Sequence, residues 1–355
     1  PVVKQDAAVG HAVRAGYMYA AMTDVAVLTG DQSYRNAVDQ IWDDIVRCKL
    51  HITGGAGARR EGEAFGEAYE LPNLTAYNET CGMVGNMMWN WRMLHATGHA
   101  RYADIMELSW YNSILAGMQL DGSKWSYTNP LRWHGKEHEL WSHDYHCRHV
   151  PGLRHICCPT NLMRNLAAYH GYLFSVSKDT LWIHHYAACV AALKKLGLKV
   201  RETTDYPWDG KIRFAIEETQ DKTLAFKLRI PAWTDSASIR VNGEPVRVQA
   251  TPGSYAEVSR AWRQGDLLEL DLEMKTRLLA GHPRSEHIRN QVAVKRGPVV
   301  YCLESNDVKG DVAFEQIAID AEATFEPEYH SDRLGGVTVL KTTAKAMAKY
   351  QRTII

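Results

Sequence analysis

Three thiols and a carboxylate stand in two separated motifs, Tyr77-Asn78-Glu79-Thr80-Cys81 and, 76 residues past Cys81, Cys157-Cys158-Pro159. Four such ligands are what a tetrahedral Zn²⁺ takes. The same set holds a candidate nucleophile, because a bound zinc and a helix N-terminus each favour thiolate over thiol. Glu63, sixteen residues before Glu79 in Gly62-Glu63-Ala64-Phe65, is a candidate proton donor. A metal, a thiolate and a second acid together point to an enzyme. Inert thiols are the main rival, since a buried cysteine is most often a small core residue. That is the reading adopted for Cys48, Cys189 and Cys302. The adjacent pair Cys157-Cys158 also admits a vicinal disulfide or a redox dithiol. A carbohydrate-binding protein with a structural Cys₃Glu zinc is a further rival.

Chemistry at these residues demands particular elements beneath them. Glu79 and Cys81 are two apart, which on a regular helix points them to nearly opposite sides, about 200° apart. They can share one metal only if Glu79 sits at an irregular helix start. Asn78 is a good N-cap residue, and Cys158-Pro159 fits an N-cap followed by proline at the first helical position. Both motifs then lie at helix N-termini, where the backbone dipoles stabilise anions. The segment 132–158 is rich in histidine: His134, His138, His143, His146, His149 and His155, with Cys147 among them. A second metal site is one reading of these; an active-site loop with solvated or sugar-bonding imidazoles is the one adopted. His155 stands apart, being two residues before Cys157. Gly54-Gly55-Ala56-Gly57-Ala58 lacks the Lys-Ser/Thr of a P-loop and any Rossmann context. It reads as a mobile loop leading to Glu63.

The chain changes period near residue 174. Before it, apolar residues recur every three to four positions, as in Tyr34-Ala37-Val38-Ile41-Trp42-Ile45 and Val84-Met87-Met88-Trp91-Leu94. Five such helical segments are expected, several closed by glycine: Gly30, Gly98 and Gly117. After it the period is two, as in Leu224-Ala225-Phe226-Lys227-Leu228-Arg229-Ile230. Asn242-Gly243 is a hairpin turn signal. The expected organisation is a helical region over 1–174, a β-sandwich over 175–280, and a further β-rich region over 281–355.

Composition excludes several classes. Lys+Arg and Asp+Glu number 41 each, so no net field favours nucleic acid or an anionic membrane. No apolar run approaches the ~20 residues of a membrane span. Pro1-Val2-Val3-Lys4-Gln5-Asp6 shows no signal-peptide core. Seven cysteines, an odd count without small-scaffold spacing, argue for reduced thiols and hence a reducing, cytoplasmic compartment. Asn73-Leu74-Thr75 and Asn78-Glu79-Thr80 match the glycosylation triplet, which carries little weight here.

Gly62-Glu63-Ala64-Phe65, Tyr69-Glu70-Leu71-Pro72-Asn73, Tyr77-Asn78-Glu79-Thr80-Cys81, Tyr127-Thr128-Asn129-Pro130-Leu131 and Cys157-Cys158-Pro159-Thr160-Asn161 resemble the β-L-arabinofuranosidases of glycoside hydrolase family 127. Trp262-Arg263-Gln264-Gly265-Asp266 and Lys295-Arg296-Gly297-Pro298 fit the same pattern, and the resemblance covers roughly residues 5 to 304. It implies an (α/α)₆-barrel catalytic domain followed by β-sandwich domains. Five or six helices precede the sandwich where a barrel needs twelve, so the expectation is that only the barrel's C-terminal half is present. The resemblance further implies Glu79, Cys81, Cys157 and Cys158 as Zn²⁺ ligands, Cys157 as nucleophile and Glu63 as general acid/base. His11, Glu107, Tyr127 and His155 are implied as sugar-pocket residues. The implied activity is retaining exo-hydrolysis that releases terminal β-L-arabinofuranose from plant-type oligosaccharides. The same machinery on another terminal pentose is the alternative, because pocket details decide specificity. The expected ligand is a small carbohydrate, with a homodimer as one assembly open to the chain.

Overall fold

The computed structural model describes residues 1–133, 150–151, 157–220, 222–308, 310 and 312–347. Helices come first and strands after. α1 (Ala12–Thr29) starts where His11 accepts the Val13 N–H through its side chain, and it stops at left-handed Gly30. α2 (Gln32–Asp44) is capped by Asp31 and runs on through a wider turn over Ile45–Lys49. α3 (Thr80–Thr97) starts at Glu79 and stops at left-handed Gly98. α4 (Ala100–Ser109) follows at once and continues through a wider turn over Trp110–Ile114 and a tighter one over Leu115–Gly117. α5 (Cys157–Ala168) and the short α6 (His170–Leu173) complete the helical part.

Three of these helices run side by side in the same direction. Along α1 and α3, Gly16 meets Gly85, Thr23 accepts from Trp89 Nε1 at 3.0 Å, and Asp24 pairs with Arg92 at 2.9 Å. Along α3 and α5, Cys81 meets Cys158 and Met87 meets Asn165. In each pair low numbers face low numbers, so the N-termini of α1, α3 and α5 converge. A Cβ on Gly16 would stand 3.0 Å from the Gly85 carbonyl carbon, so the absence of side chains here lets α1 and α3 approach closely. α2 and α4 are the return helices, and they pack with the inner helices into one apolar core around Tyr19, Trp42, Trp89 and Tyr102. Helices in the first part of the chain and sheets in the second are thus observed; among the described residues the helices do not close into an (α/α)₆ barrel.

The main sheets begin at Phe174. β1 (Lys124–Trp125) and β2 (Val150–Pro151) form a small ladder inside the helical part. Two sheets then face one another. One has the order β10-β9-β12-β7-β6-β5, the other β11-β8-β4-β3. Their ranges are β3 (Phe174–Ser177), β4 (Thr180–Ile183), β5 (Cys189–Leu193), β6 (Leu198–Thr204), β7 (Lys211–Glu218), β8 (Thr223–Ile230), β9 (Ala237–Val241), β10 (Glu244–Pro245), β11 (Ser254–Ala261) and β12 (Leu267–Leu272). Alternate residues of β7 and β8, among them Ile212, Phe214, Ile216, Leu224, Phe226 and Leu228, turn inward around Trp262. Removing a buried Trp262 side chain costs about 3–5 kcal/mol on the usual scale of such truncations. Asn242 and Gly243 both take positive φ, 55° and 82°, as a two-residue hairpin requires.

β13 (Thr276–Ala280) pairs not with the sandwich but with β14 (Val292–Arg296), which pairs with β15 (Val299–Tyr301). By strand pairing β13 thus groups with the strands that follow it. β16 (Glu326–His330) and β17 (Val337–Lys341) form a further hairpin.

Other expectations change too. Gly54–Ala58 is buried rather than mobile: a Cβ on Gly54 would stand 2.8 Å from Ser109, and one on Gly55 2.8 Å from the Asn78 side chain. These glycines permit close packing against the site. Cys302 is exposed, not core, and Cys48 and Cys189 are half-buried. No disulfide joins cysteines among the described residues. No described helix is long and apolar enough to cross a membrane.

Candidate active site

The convergence of three helix N-termini assembles the site. His11 precedes α1, Glu79 precedes α3, and Cys157 opens α5. Each terminus presents unpaired N–H groups and a partial positive charge, so anionic side chains collect there at low cost. Glu79 has extended backbone (φ −60°, ψ 135°), the irregular helix start that lets it share a centre with Cys81. The cap is Glu79 itself; Asn78, expected as the cap, lies one residue outside at φ 40°. Similarly α5 begins at Cys157, so Pro159 is its third residue rather than its first.

Glu79, Cys81, Cys157 and Cys158 form one cluster, their donor atoms all within 4.8 Å of one another. Cys81 Sγ lies 3.4 Å from Cys158 Sγ, Cys158 Sγ 3.9 Å from Cys157 Sγ, and Glu79 Oε1 3.8 and 3.7 Å from Cys157 and Cys158. A tetrahedron with metal–sulfur bonds of about 2.3 Å has edges of about 3.8 Å. The donor set and its spacing therefore fit zinc. So does an oddity of the cluster: Glu79 is buried, yet its Oε2 has no hydrogen-bond partner among the described residues. Burial, and then the negative Cys157, push the Glu79 carboxyl up to about 7. Hydrogen bonding from Cys158 and then Cys81 draws the Cys157 thiol far below its ordinary range, against the effect of burial. Burial and the bond to Cys157 push Cys158 up. One thiolate supported by its neighbours, and exposed at the cluster's edge, is the arrangement of a nucleophile.

Glu63 stands beside this cluster. It belongs to a second group with His11 and Glu79, whose donor atoms are again all within 4.8 Å. Its Oε1 accepts from Tyr77 at 2.9 Å and from Tyr127 at 3.1 Å, and its Oε2 lies 2.6 Å from His11 Nε2. Tyr77 and Tyr127 are both buried, and burial raises both phenols. Glu63 has φ 50°, a left-handed backbone rare for a residue with a side chain. Of the expected residues, Cys157, Glu63, Glu79, Cys81, Cys158, His11 and Tyr127 are thus brought together.

Glu107 is not. Its Oε1 accepts from Arg229 and Tyr206, and its Oε2 accepts from Trp233 Nε1 at 2.9 Å, all residues of the sandwich domain. The reason lies in the α3–α4 hairpin. The turn at Gly98-His99 sets Glu107 level with about residue 90, roughly 13 Å along α3 from Cys81. Glu107 is thus held at the domain interface, apart from the thiol cluster and Glu63. His155 lies outside the described residues, as do His134, His138, His143, Cys147, His146 and His149. Tyr77, whose hydroxyl holds Glu63, was not anticipated as a site residue, although its place in Tyr77-Asn78-Glu79 put it within reach.

A helical layer feeding a β-sandwich thus carries a thiol-rich metal-type cluster and a positioned carboxylate at converging helix ends. Residues 1–171 match the catalytic domain of β-L-arabinofuranosidases of glycoside hydrolase family 127, residues 180–274 its middle domain, and residues 276–348 the C-terminal domain of that family. The chain belongs to glycoside hydrolase family 127. It is 33% identical over 363 residues to a non-reducing end β-L-arabinofuranosidase of Bifidobacterium longum, a match covering 97% of this chain and 53% of that protein. Among solved structures, one described as a glycoside hydrolase is 36% identical with TM-score 0.93, over 100% of this chain and 62% of the other. A family 127 β-L-arabinofuranosidase from Geobacillus stearothermophilus is 34% identical with TM-score 0.89, over 100% of this chain and 57% of the other. The chain spans about half the length of the curated relative it matches.

Proposed function

We propose that the protein carrying this chain is a retaining exo-glycosidase that releases terminal β-L-arabinofuranose. The names of its relatives support the sugar. The observation that carries the mechanism is the Glu79/Cys81/Cys157/Cys158 cluster lying beside Glu63. Zinc, held by those four residues, would supply positive charge that keeps the thiols deprotonated.

The chain's own residues do the rest. Cys157 Sγ attacks the anomeric carbon as the bond from that carbon to the leaving oxygen breaks, and Glu63 gives its proton to that oxygen. The sugar is then bonded to Cys157 and the alcohol departs. In the second half Glu63 takes a proton from water, the water oxygen attacks the anomeric carbon, the carbon–sulfur bond breaks, and the Cys157 thiolate returns. Configuration is retained because two displacements occur at one carbon. The Tyr77 and Tyr127 hydroxyls can each donate or accept, so Glu63 Oε1 can be held in either protonation state. His11 fixes Oε2. His11 and Tyr127 also serve as sugar-binding groups in this reading.

A small carbohydrate is the proposed substrate. A reducing, cytoplasmic compartment suits the free thiols, and a homodimer is the assembly we carry as part of the proposal. The test is to slow the second step. In Glu63→Gln, an activated aryl β-L-arabinofuranoside needs little acid assistance to react, whereas the water step has lost its base. The peptide carrying Cys157 should gain the mass of one pentosyl unit. An unmodified peptide under conditions where the unaltered enzyme turns over would refute the thiolate mechanism.

A further inference from the structure

We propose that the C-terminal domain positions the loop bearing Glu63, by clamping Tyr69. The inference rests on the reading of Glu63 as acid/base. The loop between Arg59 and Asn73 has little regular structure of its own, a single helical turn over Glu61–Glu63. It nevertheless holds two side-chain-bearing residues in the left-handed region, Glu63 at φ 50° and Tyr69 at φ 69°. Such conformations cost energy and persist only where the surroundings enforce them.

The enforcement can be traced. Arg59 and Ala64 exchange two backbone hydrogen bonds of 3.1 Å, closing the turn that carries Glu63. The Arg59 guanidinium forks onto Glu70, Nε to Oε1 at 2.8 Å and Nη2 to Oε2 at 2.6 Å. Glu70 Oε2 also accepts the Glu67 N–H at 2.9 Å, and Gly66 has no room for a side chain beside Glu70. Bidentate pairs of this kind fix geometry as well as distance. Glu70 adjoins Tyr69, and Tyr69 is where the other domain grips. Its ring stacks on His282 with centroids 4.4 Å apart and planes 24° from parallel, and the Arg284 guanidinium carbon sits 4.6 Å from the ring centre. The Arg284 N–H donates to His282 Nδ1, which ties the two clamping residues to each other. A second link joins Asn73 Nδ2 to Gln291 Oε1 at 2.7 Å. His282, Arg284 and Gln291 all lie in the segment joining β13 to β14. A continuous path of contacts therefore runs from the C-terminal sheet through Tyr69, Glu70 and Arg59 to Glu63.

Arg284 touches neither the thiol cluster nor Glu63 among the described residues, so it acts as a positioning residue. It is exposed, and its replacement leaves every core intact. In the full protein, Arg284→Ala should raise hydrogen exchange about tenfold at the Glu63, Ala64 and Phe65 amides. It should lower kcat about tenfold with KM within about twofold, and leave metal content unchanged. Arg284→Lys keeps a cation over the ring and should restore both exchange and kcat. Unchanged exchange in Arg284→Ala overturns the inference, and so does a loosened loop with unchanged kcat. If the unaltered protein hydrolyses no β-L-arabinofuranoside, the functional reading fails instead, and exchange alone then decides whether the C-terminal domain holds the loop.

Discussion

His11 Nε2 lies 2.6 Å from Glu63 Oε2, while Nδ1 of the same ring accepts the Val13 N–H at 3.3 Å. The two contacts determine one another. A ring nitrogen that accepts a hydrogen bond carries no proton, so the N-cap of α1 leaves the proton on Nε2, aimed at Glu63. A helix start thus selects the tautomer that holds the carboxylate. With Glu63 in its proposed role, His11→Ala should lower kcat/KM by about 10²-fold, the scale of a misplaced catalytic group. Zinc content should not change, since His11 is outside the thiol cluster. Metal analysis and steady-state kinetics on the purified variant check both halves.

The helical and sandwich domains are joined by a buried ionic cluster. Arg229 is fully buried and reaches Asp104 at 2.5 Å and also Glu107, while its Nε donates to the His184 carbonyl at 2.5 Å. Arg229→Met would leave two carboxylates in an apolar interface without their cation. The expected loss is about 3–5 kcal/mol, read from denaturant unfolding. A variant in which Asp104 and Glu107 are also made apolar should recover part of that loss.

Glu202 offers a pH test away from the site. It is buried, its Oε1 accepts the Ala187 N–H at 3.0 Å, and burial pushes its carboxyl up to about 9. The folded state therefore binds a proton that the unfolded chain releases near the ordinary glutamate value. Between that value and about 9 the native state holds more protons, so stability falls as pH rises. Glu202→Gln keeps the Ala187 acceptor and removes the titration. Its Tm should exceed that of the unaltered protein at pH 8, with the gap closing near pH 4.5. An equal gap at both pH values would contradict the account.

The sequence made the change from helical to strand period visible, because each helix and strand carries its own apolar pattern. It also made the thiol cluster visible, since Glu79, Cys81, Cys157 and Cys158 come from two short motifs whose irregular helix starts could be anticipated. What stayed hidden depends on contacts distant in the chain. That α1, α3 and α5 are parallel, and so converge on one point, follows from packing such as Gly16 on Gly85. Local periodicity does not encode this. The interface contacts of Glu107 stayed hidden for the same reason: its partners, Arg229, Tyr206 and Trp233, lie about a hundred residues or more away. Tyr77 was overlooked because a tyrosine beside a metal-type motif reads as core until its hydroxyl is seen on Glu63.

The central claim is a zinc-held thiolate at Cys157. The measurement that tests it most directly is the metal content of the purified protein, with hydrolysis of an aryl β-L-arabinofuranoside followed for it and for Cys157→Ser. The account predicts about one zinc per chain, and turnover that disappears in the variant. A folded, active protein without zinc, or a Cys157→Ser variant that still turns over, would contradict it.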